Sequence, residues 1–407
     1  MSNPGALGAI TYESEATFGV DTTTFATLRI PIVAPVDASG LIHNKLDAER
    51  VVQYRNDGSQ WILGTMGGSF KTKLDLAGHG SSTSGAVTLT GTETLLGYVF
   101  GNAAASASAG TTFTAGTASA PTTTASGTFS PGSIGFAGAI GDGRGGGQAF
   151  AVSTHATTTL TLLTALGAAP TNGDICYSAV NIYPSEAPTS TTVTSLRFLL
   201  QTANLQYECH GCFPTALAIT GLNPGERPQV EVTWQVAWWR YSTSTFPSTV
   251  ATETYNPSMI AGGSLFANDV GTATRSTRTF RSFQIDYTLG MEILKGPGGV
   301  NAYQDIVGCR RTPDKIKVTW TEDADSATTS PVLPGYGTGT TSKHMLYTSA
   351  TAAGARFGIY LPKVCIDSVA VQRMDQNLNR LTCSGMAYTG GTTTSDLTLS
   401  AFRMGWA

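Results

Sequence analysis

Charged side chains are scarce in this chain of 407 residues: Asp, Glu, Lys and Arg together make up 13% of it, about half the share of an average soluble protein. The net charge is −3, and no cluster of Lys and Arg occurs. A protein that holds DNA by its phosphates needs such a cluster, so the composition argues against that class. A protein that lets DNA slide past it is still compatible with the composition.

Long apolar runs are also missing. No stretch approaches the roughly 18 apolar residues of a spanning helix, so we expect no membrane partner. The opening residues, MSNPGALGAITYESEATFG, have neither the basic start nor the apolar core of a signal peptide. We therefore expect synthesis and folding in the cytoplasm, where the six cysteines stay reduced.

Motifs that indicate an enzyme are weak. Gly141, Gly143 and Gly146 have the spacing of a dinucleotide-binding turn, but strand-like residues follow them, whereas that site needs a helix. Cys209 and Cys212 have C-x-x-C spacing, without the second cysteine pair of a structural zinc site. We predict no catalytic residue, no cofactor and no metal, and hence no enzyme.

Two further groups have both a binding and a structural interpretation. Glu322, Asp323 and Asp325 predict a solvated loop, with a surface calcium site as the alternative. Trp234 and Trp238 alternate with valines, which favours core packing over a platform for sugar rings.

Glycine (47 residues) and threonine are abundant, and apolar residues alternate with polar ones at the period of a β-strand. The clearest stripes lie at residues 70–76, 230–238, 283–293, 316–320 and 357–361. Pro362 is expected to close the last stripe, because proline cannot donate to a ladder.

Helical periodicity is clear at one place only, residues 92–101, where Leu95, Leu96, Val99 and Phe100 form an apolar face. The sequence therefore predicts a mainly β fold, a β-sandwich or barrel with one short flanking helix.

The composition divides the chain into segments. Residues 103–132 hold almost no large side chain, which predicts a low-complexity arm without a core of its own. Residues 133–195 predict a small inserted β module.

A faint repeat relates residues 69–78 to 282–290 and residues 211–219 to 308–318, and it predicts two related β units. The first comprises residues 1–102 and 196–245 and carries the insertion, and the second comprises residues 246–407.

Several segments resemble the tail-tube (major tail) proteins of long-tailed phages. They are YESEATFG at residues 12–19, GSFKTKL at 68–74, GCFPTAL at 211–217, GERP at 225–228 with the strand after it, and IYLPKV at 359–364. The resemblance covers about half of the chain. It implies a virion structural protein whose copies form rings that stack into a tail tube, a channel for DNA ejection into the host.

The resemblance also implies the partners of the chain. They are other copies of itself, three per ring if both β units are tube-like and six otherwise, and other phage tail proteins. DNA would pass through the lumen without specific binding, which requires a neutral or acidic lining; Asp75, Asp286 and Glu292 are the candidate lining residues. A capsid-decorating or surface-layer protein is the main alternative, and a carbohydrate-binding tail fibre is a third.

Overall fold

The computed structural model of the chain describes residues 9–20, 25, 30, 32–34, 36–47, 61–76, 91–101, 110–125, 129–138, 148–184, 193–202, 205–242, 246, 263–270, 273, 275–278, 280–296, 304–324, 342–349, 356–373, 379–389 and 400–406.

Strands dominate these ranges, which confirms the prediction of a mainly β fold with one short helix. The strands are β1 Ala9–Ser14, β2 Leu41–Asp47, β3 Trp61–Asp75, β4 Thr111–Gly116, β5 Pro121–Thr123, β6 Ile134–Gly138, β7 Gln148–Ala156, β8 Thr159–Thr164, β9 Ile175–Ser178, β10 Val180–Ile182, β11 Leu196–Thr202, β12 Leu205–Thr220, β13 Gln229–Val236, β14 Trp238–Tyr241, β15 Ser264–Asp269, β16 Thr277–Arg278, β17 Phe280–Thr288, β18 Met291–Lys295, β19 Ile306–Arg311, β20 Lys315–Ala324, β21 Ser342–Thr348, β22 Phe357–Arg373, β23 Asn379–Tyr388 and β24 Arg403–Trp406. The helix is α1, Gly91–Phe100.

The alternating stripes do become buried faces. Every second side chain is buried at residues 70–76, 230–236, 283–289 and 316–320, and their apolar members belong to one continuous core. Two stripes end earlier than predicted. The chain leaves the sheet at Gly290, so Ile293 lies on the separate β18–β19 hairpin, and a break after Val236 places Trp238 in a different cluster from Trp234.

The main sheet contains the same unit twice. The first unit is β1, β2, β3, β11, β12, β13 and β14, and the second is β15, β17, β20, β21, β22, β23 and β24. The strands of both units pair in the same way. The first strand pairs with the fourth, and the fourth pairs with the fifth. The fifth strand also pairs with the sixth and the seventh, the sixth pairs with the third, and the third pairs with the second. All these pairs are antiparallel.

The topology therefore relates two β units, whose strands fall within residues 1–102 and 196–245 and within 246–407. The residue correspondence inferred from the faint repeat is wrong, however. In the topology β3 corresponds to β20, whereas the repeat had matched it with β17. Likewise β12 corresponds to β22 and not to residues 308–318.

The fifth strand of each unit is long and kinked. The pairing register of β12 shifts around His210 and Gly211 and again after Pro214. That of β22 shifts around Pro362 and Lys363 and again after Ile366. Pro362 thus lies inside a strand, at a bulge where the ladder needs no donor, and the prediction that it ends the strand is wrong.

Because of its kinks, each long strand belongs to two layers of the fold. Its first half pairs with the fourth and seventh strands of its unit. Its second half joins a continuous eight-strand sheet with the order β2-β3-β13-β12-β17-β20-β23-β22. The helix α1 packs its predicted apolar face, Leu95, Leu96, Val99 and Phe100, into the shared core.

The inserted module is a closed barrel of six strands in the order β4-β5-β8-β7-β6-β9. Two of them, β4 and β5, lie in the segment predicted to be an arm, and Phe113 and Phe129 are buried in the barrel core. The arm prediction is therefore wrong for residues 111–123. These threonine-rich strands need few large residues because β6, β7 and β8 supply most of the core, including Phe150, Val152 and Leu160.

The barrel is inserted in the first unit but packs on the second. Phe266, Leu346 and Tyr360 share a cluster with barrel residues. The guanidinium of Arg275 donates to the carbonyls of Ala149 and Ala165, at 2.8 and 3.2 Å. The insertion is thus part of the packed structure and not a loosely attached decoration.

Candidate assembly interface

The two units join through the eight-strand sheet. The second half of β12, in the first unit, pairs with β17, the second strand of the second unit, from Ala216 opposite Thr288 to Ile219 opposite Ile285. Leu217 and Tyr287 are buried at this junction. A fifth strand of one unit therefore binds the second strand of the next unit, and the junction is head-to-tail.

The same two kinds of strand form the ends of the eight-strand sheet. β2 is the second strand of the first unit, and β22 is the fifth strand of the second unit. In the part of the chain that the structure describes, neither has a neighbour on its outer side at the positions that correspond to the junction. Large apolar side chains are exposed there: Ile42 is 55% and Val371 57% exposed.

The corresponding positions follow from the ladders. Ser368 lies opposite Ser384 directly after the second kink of β22, as Ala216 lies opposite Thr233 in β12. The residue pairs of the neighbouring strands extend this correspondence from β12 and β22 to β17 and β2, where Leu41 takes the position of Tyr287. A β22–β2 contact with the geometry of the β12–β17 junction would therefore align residues 368–371 with residues 42–39.

One face of the eight-strand sheet is apolar and buried in the core, and the other is polar. One row across the polar face holds two basic and two acidic side chains on either side of an alanine: Lys73, Glu231, Ala218, Asp286 and Lys317 lie opposite one another on successive strands. This pairing keeps the face close to neutral.

Ion pairs neutralise the polar face further. Lys71 lies 2.8 Å from Glu231, Arg227 lies 2.9 Å from Asp75, and Arg281 lies 2.6 Å from Asp323.

The three candidate lining residues are not all in one place. Asp75 and Asp286 lie on the polar face of the eight-strand sheet. Glu292 lies on the separate β18–β19 hairpin, where its carboxylate pairs with Arg310 at 2.6 Å. The alternation that suggested a single face for Asp286 and Glu292 is broken at Gly290.

The C-x-x-C segment forms the kink of β12 and not a reactive site. Both thiols are buried, and burial raises the pKa of Cys209 and of Cys212, so neither forms a reactive thiolate. Sequence reasoning missed the residue that matters most at this kink, Glu15, which is distant in sequence and contacts Gly211.

The remaining candidate residues are dispersed. Glu322 is buried and Asp323 pairs with arginines; both belong to β20 and not to a loop. Asp325 and the glycines 141, 143 and 146 lie outside the described residues. Trp234 is fully buried and Trp238 nearly so, as predicted for core packing.

Among the residues described, no group of three His, Cys, Asp or Glu side chains has an arrangement that could hold a metal ion. The same ranges contain no helix long and apolar enough to cross a membrane. The chain matches no known protein-family model and no curated protein.

Proposed function

We propose that this chain is a tail-tube subunit of a long-tailed phage, a virion structural protein whose rings stack into a channel for DNA. The observation that carries the proposal is the head-to-tail junction inside the chain together with the two matching open strands at the ends of the same sheet. A head-to-tail interface repeats from unit to unit and gives a ring when the rotation between units closes. The chain thus contains one copy of the contact, and its two open strands are of the two kinds that would form a second copy between chains.

The duplication favours three chains in each ring. Each chain supplies two equivalent units and eight strands of the continuous sheet, so three chains give a pseudo-sixfold barrel. Barrels of about 16–18 strands already hold an aqueous channel, and a larger one leaves room for a DNA duplex. Closure also removes the two open edges, which in a free subunit are sites of uncontrolled pairing.

The charge pattern fits a surface that DNA passes without binding. With its core face covered by the second layer and α1, the sheet can present only its polar face to a channel. The paired charges of that face offer DNA no extended basic surface, and counterion release, which drives phosphate binding, is correspondingly small. Other phage tail proteins would meet the ends of the stack.

Negative-stain electron microscopy of the purified chain at several concentrations tests the assembly. We expect rings or tubes with an open axial channel and threefold symmetry. Sixfold rings would show that each chain contributes one tube-like unit. Flat sheets without a channel would overturn the proposal and favour the alternative, a capsid-decorating or surface-layer protein.

A cysteine pair tests the contact itself. In a Cys365→Ser background, Ile42→Cys and Ser368→Cys should lie directly opposite on neighbouring chains, within the 4.4–6.8 Å between Cα atoms that a disulfide allows. Oxidation should yield covalent trimers and nothing larger on a denaturing gel.

The matched control for the cysteine pair combines Leu41→Cys with Ser368→Cys. Its two side chains point to opposite faces of the sheet, and it should remain monomeric on the gel. Equal cross-linking of both pairs, or of neither, would contradict the proposed register even if rings form.

A further inference from the structure

The kink of β12 is held by a buried group of charged side chains that the assembly contact does not use. We call Glu15, Glu208, His210 and Arg240 the kink cluster. The two nitrogens of the His210 ring face the two carboxylates: Nε2 is 3.1 Å from Glu208 Oε1, and Nδ1 is 3.7 Å from Glu15 Oε1. Arg240 completes the cluster with its Nε 3.1 Å from Glu208 Oε2.

Glu15 connects this cluster to the N-terminal turn. Its carboxylate accepts hydrogen bonds from the backbone N–H groups of Gly19, at 3.0 Å, and of Gly211, at 3.0 and 3.1 Å. The hydroxyl of Ser195 donates to it as well, at 2.6 Å. One side chain thus fixes the turn after β1 and the bulge of β12 together.

The bulge depends on this support. Gly211 has a φ of 59°, the left-handed region that favours glycine, and an added Cβ would lie 2.7 Å from the Cβ of Ala237. Trp238 covers the site from β14: its ring stacks on His210 with centroids 4.0 Å apart and planes 3° apart. Its indole N–H donates to the Gly19 carbonyl at 2.9 Å.

Two carboxylates that face one imidazole ring favour its protonated form. Burial lowers the pKa of His210, but its interactions with Glu15 and Glu208 outweigh burial and raise it above 6.5. Burial also raises the pKa of Glu208, yet hydrogen bonds from His210 and Arg240 lower it to about 2. Loss of the His210 proton leaves two buried carboxylates with Arg240, whose side chain is 46% exposed.

Other titratable groups surround His210. The thiols of Cys209 and Cys212 are neutral, because burial raises their pKa. Arg197, on β11 beside the bulge, lies 2.8 Å from Glu13 of β1.

The second unit lacks this arrangement. The positions of β22 that correspond to His210 and Gly211 are Pro362 and Lys363. Proline fixes its own backbone angle and does not titrate. The two units therefore hold equivalent kinks by different means.

We propose that the kink of β12 is a pH-responsive hinge, in which the kink cluster holds the N-terminal turn in place while His210 is protonated and releases it when the proton is lost. The stabilisation is fully present below pH 6.5 and is lost as the pH rises through the pKa of the folded protein. This inference does not depend on ring assembly, since all four side chains belong to the first unit.

Hydrogen exchange followed by mass spectrometry tests the hinge between pH 6 and pH 10, with exchange times scaled to the intrinsic rate at each pH. Peptides covering residues 13–19 and 208–214 should lose protection by about tenfold or more toward high pH. Peptides covering residues 360–366 of β22 should not, and they are the internal reference.

Variants identify the titrating group. His210→Gln should remove the pH dependence and leave the turn loosened throughout, whereas the control His155→Gln, in the barrel, should keep the wild-type response. Glu208→Gln should move the loss of protection to lower pH, because the imidazolium loses one of its two carboxylates. A response that persists in His210→Gln, that is missing in the wild type, or that occurs equally in β22 would overturn the proposal.

Discussion

Single side chains decide how the long strand of the first unit bends. Glu15 is buried, and its carboxylate accepts hydrogen bonds from the backbone N–H groups of Gly19 and Gly211 and from the hydroxyl of Ser195. Buried backbone N–H groups without an acceptor are costly. Glu15 therefore stabilises the bend of β12, although it is distant from that strand in sequence: Glu15 and Gly211 are 196 residues apart.

Replacement of Glu15 should show this cost. We expect Glu15→Gln to reduce the free energy of unfolding in urea by about 3 kcal/mol, because the amide keeps one acceptor oxygen and removes one of the two carboxylates that face the buried His210. The control is Glu231→Gln, which removes the exposed pair with Lys71 and should cost less than about 1 kcal/mol. Equal losses in the two variants would show that Glu15 is not a special contact.

Among the elements, the inserted barrel is the one whose role differs most from the prediction. It covers an apolar surface of the second unit, formed by Phe266, Leu346 and Tyr360. The barrel's ends lie together, since a Cβ at Gly110 would contact the ring of Tyr177. The insertion can therefore be removed in a defined way.

Deletion of residues 111–176 with a short glycine linker should leave Phe266, Leu346 and Tyr360 in water. We expect a protein that binds a hydrophobic dye and aggregates, because exposed apolar patches of this kind associate. The same deletion combined with Phe266→Thr and Tyr360→Thr should recover part of the soluble yield. A soluble deletion protein without these substitutions would mean that the barrel is a separate decoration.

At the scale of the whole molecule, the proposed tail tube would present the polar face of the eight-strand sheet to DNA. Asp286 lies in the row of two basic and two acidic side chains, with Ala218 on one side and Lys317 on the other. A lysine at this position would form a group of three positive side chains in each chain, together with Lys315 and Lys317 on the neighbouring strand β20.

Tubes of the Asp286→Lys variant should still form and should bind duplex DNA at low salt, with an affinity that falls steeply as salt rises. In whole phage the same variant should slow DNA ejection. Glu292→Lys is the matched control, because Glu292 lies on the β18–β19 hairpin and off the polar face. Unchanged DNA binding and ejection in Asp286→Lys would show that the polar face does not line the channel.

The alternation of side chains was sufficient to identify the strands and their buried faces, because period two is a local property of the backbone. It identified residues 70–76, 230–236 and 316–320 correctly, and the apolar spacing identified α1 in the same way. Burial of Trp234 followed from its valine neighbours. The class of fold was therefore readable without tertiary information.

The pairing of the strands could not be predicted from the sequence, because it depends on contacts between residues that are distant in the chain. The sequence repeat matched β3 with the wrong strand, since in the fold its counterpart is β20. Pro362 looked like an end because the bulge that accommodates it forms only against β21. Residues 111–123 looked coreless because most of the core on which they pack comes from other strands of the barrel. The kink cluster and the open edges of β2 and β22 exist only once Glu15, β12 and the two units have been brought together.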